Sequence, residues 1–300
     1  MNLTESTFDY DTYKWLNDNQ FDRDSKLCKI GGNGRDEIYL IENRDNDKLV
    51  VKLTTGSAND IISAETHGLR LIAETNTVDT ATIHYVSDHC IVMDYLYGQG
   101  QSANYWQSLG TQLAKLHRAP QPPQPPQRGF EGPMFGLDHD NYCGNGRQFN
   151  ALCVDGHAFF SDYRLLNQAR LAYDNGFLES PWIIYIESIC ERLTELIPAQ
   201  PVSLLHGDLW SGNLLVNAKG QPALIDPAVY YGWREADIAM TLLFGGFPHD
   251  FYSCYHETWP LEPDWRKRVP LYNLYHLLNH LNIFGVSYLE QVQSTISRYA

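Results

Sequence analysis

Residues 204–213 read Leu204-Leu205-His206-Gly207-Asp208-Leu209-Trp210-Ser211-Gly212-Asn213, and Leu224-Ile225-Asp226-Pro227 follows shortly after. Together they supply an aspartate, an asparagine five residues later, and a second aspartate at the end of an apolar run. Phosphoryl transfer to an alcohol needs such a set. Its transition state is loose, so the protein's task is positioning and charge neutralisation. One carboxylate receives the hydroxyl proton, while an amide and another carboxylate hold Mg2+. Asp208 is the candidate base, and Asn213 and Asp226 are the candidate metal ligands. Each alone is ordinary turn chemistry; the joint spacing is the signal.

Upstream, residues 27–55 read as strands. Gly31-Gly32-Asn33-Gly34 is a tight-turn signal, and Arg44-Asp45-Asn46-Asp47 has the composition of a hairpin turn. Leu49-Val50-Val51-Lys52-Leu53 is an apolar strand carrying one lysine. A lysine there is costly to bury unless paired. Residues 58–74 read as a helix, with Ile62, Glu65, Leu69 and Ile72 on one face. Glu65 is the odd member of that face and the natural partner of Lys52. An outward-facing lysine with a solvated glutamate is the plainer alternative. Gly31 and Gly32, just before the lysine strand, would let backbone N–H groups approach a triphosphate.

The chain has 300 residues, 43% hydrophobic and 19% charged, an ordinary globular composition. Acidic residues outnumber basic ones, 36 to 22, for a net charge of −14. That balance argues against a nucleic-acid or anionic-membrane partner. It is compatible with a cationic or neutral small substrate. The six cysteines lack C-x-x-C spacing, and the histidines form no H-E-x-x-H or other metal pattern. Free thiols in a reducing compartment are expected. With no signal-peptide pattern and no long apolar run, the expectation is a soluble, cytoplasmic protein.

A leading helix is expected around Thr12 to Asn19, and short strands at Thr82 to Val86 and Cys90 to Met93. A small strand-rich lobe, 1–95, then gives way to a larger helical one, 96–300. A helix ends near His117, and residues 119–127 read as a polyproline spacer. Further helices are expected at 158–174, 181–197, 235–246 and 268–299. Ala223-Leu224-Ile225 would be a strand delivering Asp226 into a cleft. Trp210, between base and asparagine, would wall the acceptor site and stack on a sugar or an apolar stem. Trp233 and Arg234 follow the second aspartate and are candidates for the same pocket, with core packing or a surface ion pair as the alternative.

The Asp-to-Asn spacing is that of the protein kinase catalytic loop H-R-D-x-x-x-x-N, with Gly207 in place of the arginine. Over nearly all of its length the chain resembles the fructosamine kinase/ketosamine-3-kinase family, relatives of aminoglycoside and choline kinases. The resemblance is carried by residues 204–213, by Ile225-Asp226-Pro227-Ala228-Val229-Tyr230-Tyr231-Gly232, and by Arg234 to Met240. Phe244 to Pro248, Leu274 to Gly285, and a middle segment from Phe135 to Leu165 also match. The resemblance implies an α+β, two-lobed protein-kinase-like fold with a small antiparallel-sheet N-lobe and a mostly helical C-lobe. It implies ATP-dependent, Mg2+-assisted phosphorylation of a sugar hydroxyl on a ketosamine, a deglycation step. It carries over Asp208 as base, Asn213 and Asp226 on Mg2+, and Lys52 with Glu65 on the phosphates. Met93, Asp94, Tyr95 and Leu96 would form the hinge that reads adenine. Competing expectations are a kinase of another small hydroxylated amine, or a nucleotide-binding protein without useful turnover.

Overall fold

The computed structural model describes residue 3 and residues 7–32, 36–54, 59–122 and 132–300. The chain opens with α1 (Tyr10–Asp18), started by the Asp9 carboxylate, which accepts the Thr12 N–H at 2.9 Å. Strands β1 (Lys26–Gly32), β2 (Asp36–Glu42) and β3 (Lys48–Thr54) follow, then α2 (Asn59–Glu74), β4 (Asp79–Thr80), β5 (Ile83–Val86) and β6 (Cys90–Asp94). Five of these strands form an antiparallel sheet in the order β1-β2-β3-β6-β5. The lysine strand is therefore central. Side chains alternate across a strand. Leu49 and Val51 face the cluster that holds Leu16 and Phe21, on the α1 side. Val50 packs with Ile62, Ile91 and Met93 on the α2 side, and Lys52 shares that parity.

The second part begins with α3 (Tyr105–Arg118), then β7 (Asn141–Cys143), β8 (Gly146–Gln148), α4 (Gly156–Phe159), a π-helical stretch at Phe160–Leu166, and α5 (Asn167–Asp174). Next come α6 (Ser180–Glu191), α7 (Leu193–Leu196), β9 (Ser203–Leu205), β10 (Leu214–Val216), β11 (Pro222–Leu224) and β12 (Tyr230–Gly232). The chain finishes with α8 (Glu235–Leu243), α9 (His249–Thr258), α10 (Trp265–Phe284) and α11 (Leu289–Ser297). Two buried clusters organise it. One packs the helices from α4 to α6 on α8, α10 and α11; the other packs α3 on α9 beneath the loop that ends in Asp208. The fold is thus α+β, with a sheet-rich N-terminal part and a helical C-terminal part. Among the described residues no helix is long and apolar enough to cross a membrane.

Several expectations change in detail. The stretch 268–299 is two helices, because Gly285 takes φ +79° and stops the ladder. The stretch 181–197 breaks at Arg192, and 235–246 ends at Leu243. Helix α9 and the three-residue strands β7, β8, β9 and β12 were not expected. The strands carry too few residues for a period to register. Strand β4 pairs in parallel with β11, tying the N-terminal part to the strand before Asp226. The turn at 33–35 and most of the proline-rich segment lie outside the described residues. At the latter's edge, Gln121 donates to the Met134 carbonyl and accepts the Met134 N–H.

Helices α3 and α9 meet at Gly110, where an added Cβ would overlap the Phe251 carbonyl. We therefore expect Gly110→Val to force the helices apart and lower unfolding free energy by about 1–3 kcal/mol or more. Urea denaturation checks this, and an unchanged midpoint would contradict that packing.

Candidate active site

Lys52 is the buried cation of the site. Its Nζ lies 2.7 Å from Glu65 Oε2 on α2 and 2.7 Å from Asp226 Oδ1 on the loop after β11. Burial disfavours the ammonium, but the two carboxylates outweigh it and push the lysine pKa up. One ammonium cannot neutralise both acids equally. Glu65, the more buried, is pushed up to about 7 by burial despite Lys52. Asp226, 43% exposed, also feels burial, yet Lys52 holds it below the usual carboxylate range. Its backbone sits in the left-handed region at φ +50°, uncommon outside glycine. That conformation turns the side chain back toward the N-terminal sheet.

Asp208 and Asn213 form the opposite wall. Asn213 Nδ2 donates to the Asp208 backbone carbonyl at 2.8 Å and to Asp208 Oδ2 at 3.1 Å. Both amide hydrogens are thereby committed, so the asparagine oxygen is left as the atom available to a cation. Burial drives the Asp208 carboxyl up to about 7; the Asn213 hydrogen bond only partly opposes it, and Asp226 adds repulsion.

The loop is held from behind. His206 Nε2 donates to the Ile225 carbonyl at 3.0 Å, while Nδ1 accepts the Asp208 N–H at 3.3 Å. One imidazole thus joins the base loop to the loop of the second aspartate. Burial keeps His206 neutral by lowering its pKa. Asp237 on α8 accepts the His206 and Gly207 backbone N–H groups at 2.7 and 2.9 Å, and His117 lies 3.1 Å from the same carboxylate. Gly207, at φ +82°, lies so close to the Ala228 carbonyl that a side chain there would collide with it. Asp237 and His117 went unassigned in the sequence. Asp237 stood within the quoted run Arg234 to Met240, the one signal that could have found it.

Two cavities share Lys52, Glu65 and Asp226. One, about 320 Å3, is largely apolar, lined by Ile38, Val50, Ala81, Met93, Leu96 and Ile225, with Asp94 and Tyr95 also on its wall. The other, about 250 Å3, adds Asp208, Asn213, Tyr142 and Trp210. Trp210 is 36% exposed and meets Phe244 edge-on. Gly31 and Gly32 lie exposed at the end of β1, and the turn beyond them lies outside the described residues. A still larger cavity of about 810 Å3, beside α2 near His67, Arg70 and Arg147, contains none of these catalytic candidates.

Trp233 and Arg234 are not in the cleft. Trp233, 4% exposed, packs among Phe135, His157 and Phe160 in the C-terminal core. Arg234, 2% exposed, donates to the Trp259 and Pro260 carbonyls and stacks 3.9 Å from the Trp259 ring centre. The expectation that they contact substrate is corrected. Strand β12 pairs with β9 and carries the residues after it beneath the catalytic loop, not over it.

A sheet-borne lysine paired to a helix glutamate, facing an Asp–Asn–Asp set across a cleft, is the layout of a phosphotransferase with a protein-kinase-like fold. The chain belongs to the fructosamine kinase family, whose family model matches residues 12–300. It is 36% identical over 280 residues to a probable ketoamine kinase of Vibrio parahaemolyticus, covering 91% of this chain and 92% of that protein. A chloroplastic protein-ribulosamine 3-kinase of Arabidopsis thaliana is 32% identical, covering 92% of this chain and 83% of the relative. The crystal structure of a candidate fructosamine-3-kinase from Haemophilus somnus superposes with a TM-score of 0.81 at 26% identity, covering 96% of each chain. Aminoglycoside phosphotransferases and a choline kinase from Streptococcus pneumoniae share the fold at 16% identity or less.

The raised Asp208 pKa has a stability consequence. The folded chain keeps a proton on Asp208 up to about pH 7, whereas the unfolded chain releases it near the ordinary value of 3.8. The folded state therefore binds more protons between those values, and stability falls as pH rises through that window. Asp208→Asn removes the effect. We expect its thermal midpoint, relative to wild type, to rise between about pH 5 and pH 8; parallel curves would refute the raised value.

Proposed function

We propose that this chain transfers the γ-phosphoryl group of ATP to a sugar hydroxyl of a ketosamine, the rearranged adduct of a sugar with an amine. The observation that carries this reading is the convergence of Asp208, Asn213, Asp226 and Lys52 on one cavity, in a chain of the fructosamine kinase family.

The geometry supports the following roles. The apolar cavity against Met93 to Leu96 suits an adenine ring, with backbone groups of that segment reading its edge. Lys52 would engage the nucleotide phosphates while Glu65 keeps the ammonium in place. Asn213 and Asp226 offer two oxygen ligands on one wall, which fits Mg2+. When bound there, the cation neutralises charge on the phosphates. Asp208 Oδ2 is occupied by Asn213, which leaves Oδ1 to accept the proton of the attacking hydroxyl. A carboxyl poised near neutrality suits a general base. Trp210 and Tyr142 wall the acceptor side, where an aromatic face can stack on a sugar ring. The acidic chain, at −14, favours the cationic amine of such a substrate.

Incubation with Mg-ATP and fructosylated or ribulosylated lysine, reading ADP, should give turnover. Turnover confined to aminoglycosides or choline would overturn the substrate class. Asp208→Ala should lower kcat by about 10²–10⁴-fold with little change in KM for ATP; a near-normal kcat removes it as base. Asp226→Ala should raise the Mg2+ concentration needed for half-maximal rate, and an unchanged Mg2+ dependence would count against its role.

A further inference from the structure

Behind the catalytic base lies a second group of ligating atoms. Cys143 Sγ on β7, His276 on α10 and an Asp208 carboxylate oxygen all lie within 4.8 Å of one another. Cys143 Sγ is 4.0 Å from His276 Nδ1. We propose that Cys143, His276 and Asp208 form a binding site for a borderline-soft divalent cation of the zinc class, and that its occupation silences the cleft by capturing Asp208.

The geometry suits such an ion. Bonds of about 2.0–2.3 Å to sulfur, nitrogen and oxygen place tetrahedral donors roughly 3.3–3.8 Å apart. The three groups need only close by about an ångström. Three protein ligands leave a fourth position, and Asp208 lines the cleft, so that position opens toward water or the acceptor hydroxyl.

The surroundings prepare two of the ligands. His276 is buried on α10, with Nδ1 facing Cys143 Sγ. Asn279, one turn along α10, donates to the Cys143 carbonyl at 3.1 Å and so fixes β7 over the helix. The Asn279 side-chain oxygen is buried without a hydrogen-bond partner among the described residues, as is Nδ1 of His280. The Asn279 oxygen is thus an unspent polar atom on the residue that holds β7 beside the cluster. Burial pushes the Cys143 thiol pKa well up, so the cation itself must displace the thiol proton as the metal–sulfur bond forms.

Ligand type separates this site from the proposed Mg2+ position. Asn213 and Asp226 offer only oxygen, which suits Mg2+. A thiolate and an imidazole select zinc-class ions and disfavour Mg2+. Two neighbouring positions would then sort two cations by softness, one supporting transfer and the other blocking it.

The test uses the full chain and the metal alone. Titration with Co2+ should produce a thiolate-to-cobalt charge-transfer band at one equivalent, displaced by Zn2+. Cys143→Ser should abolish the band, and His276→Gln should weaken Zn2+ binding by at least about ten-fold. Zn2+ should raise the thermal midpoint of wild type by more than that of either variant, and the metal-free midpoints report that the variants fold. Absence of the band, or Zn2+ binding by Cys143→Ser as tight as by wild type, overturns the site. The silencing rests on the assignment of Asp208 as base. With saturating Mg-ATP, Zn2+ should therefore inhibit ketosamine phosphorylation by wild type and be reversed by chelation. Binding through Cys143 with full activity retained would keep the site and instead remove Asp208 as base.

Discussion

The site depends on one ammonium shared by two carboxylates. Lys52 is on the central strand of the N-terminal sheet, Glu65 on the helix behind it, and Asp226 on a loop of the C-terminal part. A cation buried on an apolar face is stable only while its partners stay in place. That requirement fixes α2 against the sheet and draws the Asp226 loop toward it. The left-handed backbone of Asp226 follows from the same demand. Because one positive charge faces two negative ones, the arrangement also has a reserve of negative charge, which an arriving cation can relieve.

The Asp208 loop is held by polar groups buried behind the cleft. His206 bonds both to the Asp208 N–H and to the Ile225 carbonyl, so one side chain ties the Asp208 loop to the Asp226 loop. Asp237 gathers two consecutive backbone N–H groups and the His117 ring beneath them. Buried charge of this kind is tolerated because each carboxylate oxygen finds a donor. The hydrogen bonds hold the Asp208 side chain in a partly dry pocket, and that dryness raises its pKa.

The five residues proposed for phosphoryl transfer were legible in the sequence. Asp208, Asn213 and Asp226 lie within 19 positions of chain, and Lys52 and Glu65 betray themselves as charges on otherwise apolar faces. Long periodic elements such as α2 were legible for the same reason. What could not be read were the three-residue strands, the helix α9, and the destinations of Trp233 and Arg234. Proximity in sequence to Asp226 suggested the cleft for those two, but the pairing of β12 with β9 sends them into the core.

By itself the sequence determined the chemistry on offer: which acids, which amide, which lysine, and the periodicities that make one sheet and a set of helices. Only the tertiary structure decided who meets whom. Cys143, Asp208 and His276 come from distant segments, and no spacing rule joins them; packing of α10 beneath β7 does. The same holds for His117 and Asp237. Local pattern is set by backbone geometry and reads along the chain, whereas the electrostatic neighbourhood of a side chain is set by the burial of surfaces that meet only once the chain has folded.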